Sequence, residues 1–488
     1  MKHLTRFEIV RKSAKILVVV LCISGFSYQA LSFLQLYWTY PTVVDIQTSS
    51  PTSLDVPAFT ICNPIGYIYE EMCTGFGKMM CTPDSRMLCA QQPDVCDSGM
   101  IPEGFKSIRY AKFLESAEKL SPEDLVRFRV HLEVYMNCTI EFAGKKTSCN
   151  LESVIGSYFT RDELPQFCYT IYSLWGHPHI TRDRIPKGAI MTFKFYLNAS
   201  GLVEKSEVTG WIGKQNLPTT PYVQIAVHSP YFLPSPYLEG FSYKGGKVYQ
   251  MRITMDEKHL LPSPYQTSCT NYMEKWIENG GRGPINQLNV VQECRMHKWY
   301  SAVGCVPVTV DYPHPYDICG TAVASNPNNI ELVKEDQCLK QAENFTQPCQ
   351  SISYTTTREE RDITIEKTYM IRFTKQEEKV RKTIPGHDCE GSKMWKKECS
   401  EIKIEILFDR FEITNLTYNP KIEQLELFSN LGGYMGMWLG ISLVAVYDSI
   451  ISVLSWLKKW VIRKRRNKVR SKQVRVRNTR MNSILETM

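Results

Sequence analysis

Two stretches of this chain are almost without charge. Ile16–Trp38 holds no Asp, Glu, Lys or Arg, and Leu427–Leu457 holds one, Asp448. At about 1.5 Å per residue, either run can cross a hydrocarbon layer of about 30 Å. The apolar core of a cleaved signal peptide is about 7–15 residues, shorter than the first run, so Ile16–Trp38 is read as a retained span. Cysteine is missing from both ends. Of 17 cysteines, Cys22 lies in the first uncharged run and the other 16 lie between the two runs, which places the middle in an oxidising, extracellular compartment. Cys73, Cys81, Cys89 and Cys96 show no CxxC spacing and no interleaved histidine, which disfavours a metal site and favours two disulfides. His131, His177, His179, His228, His259, His297, His314 and His387 form no ligand or triad spacing, so neither an enzyme nor a cofactor is expected. Internal repeats are absent, and so is low complexity outside a basic tail.

What is present fixes an orientation. Lys2, Arg6, Arg11, Lys12 and Lys15 precede the first span, and twelve lysines and arginines between Lys458 and Arg480 follow the second. Both termini are therefore expected in the cytoplasm. The chain is net +8, yet the part between the tails has 41 basic against 48 acidic residues, so the basic excess belongs to the tails. A membrane-apposed tail on anionic lipid is expected, and no nucleic-acid partner. Glycosylation sequons at Asn137, Asn198, Asn344 and Asn415 all fall on the expected outside.

The expected order is a cytoplasmic tail (1–15), a first membrane helix (16–38), a disulfide-rich extracellular region (39–424), a second, pore-lining helix (425–457) and a basic cytoplasmic tail (458–488). An aromatic cluster, Tyr37, Trp38 and Tyr40, closes the first span. Val56–Asn63, Ala189–Leu197, Tyr222–His228 and Lys247–Met255 read as strands, and Ile402, Ile404, Ile406 and Phe408 alternate within a half-buried strand over Glu401–Ile413. Ser121–Asp124 reads as a helix start and Ile285–Ala302 as a helix. Six cysteines punctuate Cys269–Cys349, where apolar content is too low for an independent core and disulfides would stabilise the segment by about 2–4 kcal/mol per closed loop.

The second uncharged run is unusual for a lipid anchor. Gly432, Gly436 and Gly440 step by four, a small-residue stripe that lets another helix or a pore come close. Asp448 sits deep in the run, where a carboxylate costs about 2.5–3.5 kcal/mol on insertion scales and usually faces protein or water. On a straight helix Gly440 and Asp448 differ by about 80° in azimuth. A break at Gly440-Ile441-Ser442 would let both face one lumen and would free carbonyls for a small cation. A packing helix with one tolerated acid is the plainer reading. An ATP-gated two-span channel would need paired basic phosphate contacts, of which no convincing set is seen. A non-conducting receptor with two anchors is a further alternative.

Several blocks together resemble the degenerin/epithelial sodium channel family of trimeric two-span channels. They are Pro57–Asn63, Phe167-Cys168-Tyr169-Thr170, Leu261-Pro262-Ser263-Pro264-Tyr265 before Cys269, and Ser429–Gly433 through Gly440-Ile441-Ser442. The resemblance implies an α+β membrane protein whose ectodomain has a β-sheet palm, a disulfide-laced helical thumb at about 269–349 and a variable finger. It implies the pairs Cys62–Cys168, Cys138–Cys149, Cys269–Cys349, Cys294–Cys338 and Cys305–Cys319, and proximity adds Cys389–Cys399. It also implies roles: Gly440, Ile441 and Ser442 for selectivity, Asp448 as an inner pore acid, Ser429 as the small residue whose enlargement locks degenerins open, and Gly436 at the amiloride position. Tyr265, with Tyr37 and Trp38, would couple ectodomain to first span. The family's His-Gly motif before the first span is absent, since the tail holds only His3. The function so implied is a plasma-membrane, amiloride-sensitive sodium channel, homotrimeric or heterotrimeric, gated by an extracellular peptide, by protons or by force. The alternative is an auxiliary subunit that needs a partner.

Overall fold

The computed structural model describes residues 6–63, 119–127, 129–159, 165–197, 221–334, 336–362, 365–373, 376–384, 389, 397–441, 447, 450–460 and 462. Cys73, Cys81, Cys89, Cys96, Asn198, Ser442 and Asp448 lie outside the described residues. The chain forms two compact units. One comprises residues 1–43, 264–266 and 420–488, and the other residues 44–263 and 267–419.

The larger unit is built on two sheets. The seven-stranded sheet runs Gln350–Asp362, Lys247–His259, Glu401–Pro420, Ile190–Tyr196, Met136–Phe142 and Lys145–Ser148, with Thr42–Ser49 paired to Glu401–Pro420 off this path. The five-stranded sheet runs Phe241–Lys244, Tyr222–His228, Ala58–Cys62, Pro165–Ile171 and Ser153–Phe159. Their inner faces share one core, in which Phe59 of the smaller sheet meets Phe193 of the larger, edge to face at 5.1 Å. Ile402, Ile404 and Ile406 point into that core, as their alternation requires. Lys247–His259 and Glu401–Pro420 pair in parallel, from Lys247↔Ile402 to His259↔Thr417.

Two strands run further than expected. Lys247–Met255 extends to His259, and Glu401–Ile413 extends to Pro420. In the second of these the register shifts between Ile253 and Met255 of its neighbour, and Arg410 and Phe411 take φ of 50° and 54°. This bulge turns Phe411 into the core (5% exposed), so the strand resumes beyond the point where its alternation stops being readable. Gln350–Asp362 and the hairpin Ile365–Phe373/Gln376–Ile384 are strands that the sequence did not suggest.

The segment between Cys269 and Cys349 is helical, with Tyr272–Glu278, Gln287–Val303 and Asp336–Ala342. Asn286 caps the longest helix by accepting from the Asn289 amide, and Gly304 ends it at φ 75°. Its two cores are small, as its composition requires. Cys269–Cys349 closes the segment, and Cys294–Cys338 and Cys305–Cys319 lie inside it. Cys62–Cys168, Cys138–Cys149 and Cys389–Cys399 are bonded elsewhere, and Cys22 is free.

A chain of buried polar groups crosses the smaller sheet. The His228 Nδ1–H donates to the Ser229 carbonyl at 2.8 Å, so Nε2 accepts from the Thr60 hydroxyl at 2.7 Å, and Thr60 accepts from Thr170 at 2.8 Å. Burial lowers the imidazole from 6.5 to about 4. Below its ordinary value the unfolded chain takes up a proton that the folded chain refuses. Stability from this group therefore falls as pH drops from 6.5 toward 4, by roughly 3 kcal/mol. Asp311 has the opposite sign, because burial raises its carboxyl from 3.8 to about 6 and the folded chain is favoured as pH falls through that window. The His228 effect is therefore read as a difference between variants. His228→Gln should lose less stability than the parent between pH 6.5 and 4, seen in thermal unfolding followed at several pH values. Parallel profiles for the two proteins would refute the assignment.

Candidate functional site

The expected pore residues fall in the smaller unit, which is built on two helices. Arg6–Trp38 is longer than the span expected from charge alone, and within it Arg11–Trp38 is long and apolar enough to cross a membrane. The second helix, Gln424–Leu439, starts at a capping box in which Glu423 and Glu426 serve each other's backbone amides. The Lys421 amide donates to the Pro41 carbonyl at 2.8 Å, which ties the end of the first helix to the start of the second.

Gln424–Leu439 has 16 residues, about 24 Å of helix, less than a bilayer core needs. It stops at Gly440, whose φ of 65° is left-handed and whose amide bonds back to Gly436 at 3.1 Å. Described residues are helical again over 450–460. The helix thus ends at the Gly440-Ile441 pair, where the sequence places a break. The cause is local: glycine reaches positive φ without the Cβ penalty that holds other residues in the helix.

The two helices meet through large residues on one face of the second. Phe33 and Tyr434 stack edge to face at 6.0 Å, and the Trp438 indole N–H donates to the Gln29 amide oxygen at 2.8 Å. Trp438 is half-buried, and an indole N–H withdrawn from water in an apolar segment needs such an acceptor. Gly25 makes room for that indole, since a Cβ on Gly25 would come within 2.7 Å of its ring carbons. Gly25, Gln29 and Phe33 step by four along one helix, and Tyr434 and Trp438 do so along the other. These contact residues were not singled out from the sequence. The available signal was a lone amide, Gln29, one helical turn from a glycine in an uncharged run.

The opposite face carries the small residues. Ser429, Gly433 and Gly436 are exposed, and they lie within about 60° of one another around the helix. A Cβ on Gly433, Gly436 or Gly440 would meet nothing within 4 Å. The exposed stripe therefore includes Gly433, whereas Gly432 is half-buried. Ile441 is exposed.

Tyr265 also belongs to this unit. Its ring meets Tyr40 edge to face at 5.5 Å, and Tyr40 meets Tyr37 at 6.1 Å. Tyr40 takes φ of 48° just past the first helix, which brings its ring round to Tyr265. Trp38 is exposed. Of the sequons, Asn137 and Asn344 are exposed, while Asn415 is half-buried within a strand with its side-chain oxygen covered.

The family model for the amiloride-sensitive sodium channel matches residues 1–451. The chain belongs to that family. Among curated relatives, Degenerin del-1 of Caenorhabditis elegans is 21% identical over 289 residues, which is 58% of this chain and 39% of that protein, so the chain covers well under half of that relative. Among solved structures, a cryo-EM structure of a proton-activated chloride channel shares 6% identity at a TM-score of 0.27, over 91% of this chain and 98% of that one.

Gly25→Val should disrupt the helix pair, and Gly25→Val combined with Trp438→Ala should recover part of the loss. Surface expression and thermal stability of the single and double variants measure the coupling. If the two losses simply add, the contact has no energetic weight.

Proposed function

We propose that the chain is a subunit of a trimeric plasma-membrane channel that conducts cations, sodium foremost, and that opens through its extracellular part. Family membership supports a channel of the amiloride-sensitive type. The observation that carries the site is the left-handed Gly440 at the end of Gln424–Leu439, inside the Gly440-Ile441-Ser442 tract. Backbone that leaves helical geometry at membrane depth is tolerated only where it is buried in protein or lines water. Carbonyls freed by such a break replace part of an ion's hydration shell, and a ring of Asp448 carboxylates further along would attract cations and repel anions. Ser429 and Gly436 share the small-residue face on this reading, the first at the gate and the second at the blocker site. Tyr265, through Tyr40 and Tyr37, carries extracellular motion to the first span.

Whole-cell recording tests the pore. Asp448→Asn and Ser442→Asp should each change the sodium-to-potassium permeability ratio, read as a shift in reversal potential. Unchanged ratios in both would remove these residues from the pore. Absence of current from the chain alone, with current restored by a related subunit, would favour the auxiliary reading.

Ser429 gives a separate test of gating. A bulky thiol reagent on Ser429→Cys should raise open probability in single-channel records, because the residue faces open space and its enlargement would oppose closure. No change after complete labelling would place the gate elsewhere.

A further inference from the structure

The larger unit contains a cavity of about 360 Å³ where the seven-stranded sheet meets the disulfide-bonded helical segment. That size suits a small organic ligand. One wall is the end of the Lys247–His259 strand and the start of Gln350–Asp362, where Glu257 pairs with Ile352 and His259 with Gln350. The facing wall carries Tyr272 and Asn286, and Tyr231 and Phe232 close a third side.

The electrostatics are one-sided. Glu257 is the sole carboxylate on the wall, and no lysine or arginine lines it. Among the described residues, the one ion-pair partner of Glu257 is the His259 imidazole, at 3.8 Å, which is charged only when protonated. Two further cations, Arg182 and Lys258, do not line the cavity. Arg182 binds the Asp55 carboxylate at 2.6 Å, and Lys258 donates to the Gln347 side chain at 3.0 Å and lies over the Tyr418 ring. Two of the amides on the wall are used within the helical segment, where Asn286 accepts from the Asn289 amide and Asn271 donates to Glu274, and Gln350 adds a third, neutral amide. The one acidic group on the wall is therefore a carboxylate without a permanent counter-charge, facing a space bounded by three aromatic rings.

We propose that this cavity binds a small primary ammonium ion with an apolar body. The ammonium group donates a charge-assisted hydrogen bond to Glu257, and the body lies against Tyr231, Phe232 and Tyr272. An anion would meet Glu257 with no cation to offset it. A neutral ligand would cover the carboxylate and leave it unpaired, which is costly. The occupant touches sheet and helical segment at once, beside the Cys269–Cys349 bond that closes that segment, so it stiffens the joint between them. The site does not rest on the conduction reading, because every lining residue lies in the larger unit.

The test uses the purified full chain in detergent, with 2-phenylethylammonium as probe and 2-phenylethanol as its uncharged counterpart. Calorimetric titration should show the ammonium ion binding at millimolar concentration or tighter, and the alcohol at least tenfold more weakly. Glu257→Gln should weaken the ammonium ion by roughly tenfold, the loss of one hydrogen bond to a charged group, and leave the alcohol unchanged. Gln350→Trp, which fills the cavity from the face that Glu257 and His259 share, should abolish both. Thermal unfolding without ligand verifies that each variant is folded. Equal binding of ion and alcohol, ammonium affinity indifferent to Glu257→Gln, or no binding at all would overturn the proposal. Binding to the smaller unit would be unaffected by either substitution, so failure here is distinct from failure of the channel reading.

Discussion

The parallel pairing of Lys247–His259 with Glu401–Pro420 is the constraint on which the rest depends. Parallel neighbours end at the same edge of a sheet, and here both chains then pass into the smaller unit, one at Pro264 and the other at Pro420. A parallel pair cannot be joined by a tight turn and needs a long crossover. The connection between these two strands is the helical segment and the Gln350–Asp362 strand, with the residues that follow it up to Glu401. The disulfides become intelligible on this basis. Cys269–Cys349 closes the helical part of the crossover into a loop that leaves the sheet near His259 and rejoins it near Gln350, so a large insertion does not loosen the register of the central strands.

Elements that bury one face were legible in the sequence. Tyr222–His228 was read at its full extent, and Ile402–Phe408 was read because a period of two with large apolar residues has no other economical explanation. Gln350–Asp362 was not, because its outer half is polar on both sides: Thr355, Thr356 and Thr357 lead into Arg358, Glu359, Glu360 and Arg361. Backbone pairing to Lys247–His259 holds that half, together with Arg358, whose guanidinium lies 5.6 to 5.8 Å from the rings of Phe241, Tyr243 and Tyr249 and donates to the Ser242 carbonyl. A cation placed over aromatic rings from another part of the chain leaves no trace in local periodicity. The bulge at Arg410-Phe411 was hidden for a related reason, since the residues that adopt positive φ there are not glycines.

In the smaller unit the division was different. Glycine spacing exposed the small-residue face of the second helix and the break at Gly440, because glycine's conformational range is an intrinsic property. The partner of the first helix was not legible. Gly25 looks like any glycine in an apolar run until the Trp438 ring is found against it. Tyr265 was assigned to the aromatic cluster only through resemblance, and its contact turns out to be Tyr40, reached because the backbone there is left-handed.

The two faces of Gln424–Leu439 therefore answer to different demands. Tyr434 and Trp438 are large, are matched by Phe33, Gln29 and Gly25, and hold the helix pair as a unit. Ser429, Gly433 and Gly436 are small and contribute little to that packing, since an added Cβ at either glycine meets no neighbour. Apolar surface of that kind gains nothing by being glycine if it faces lipid, where leucine is equally soluble and a better helix former. Small residues are favoured where something must come close: another backbone, or ions and water. Gly440 then ends the helix on the same side, so the loss of regular hydrogen bonding falls where close approach is already provided for. Packing strength on one side and permissive geometry on the other let this helix stay fixed to its neighbour while its small face and its end remain open to close approach.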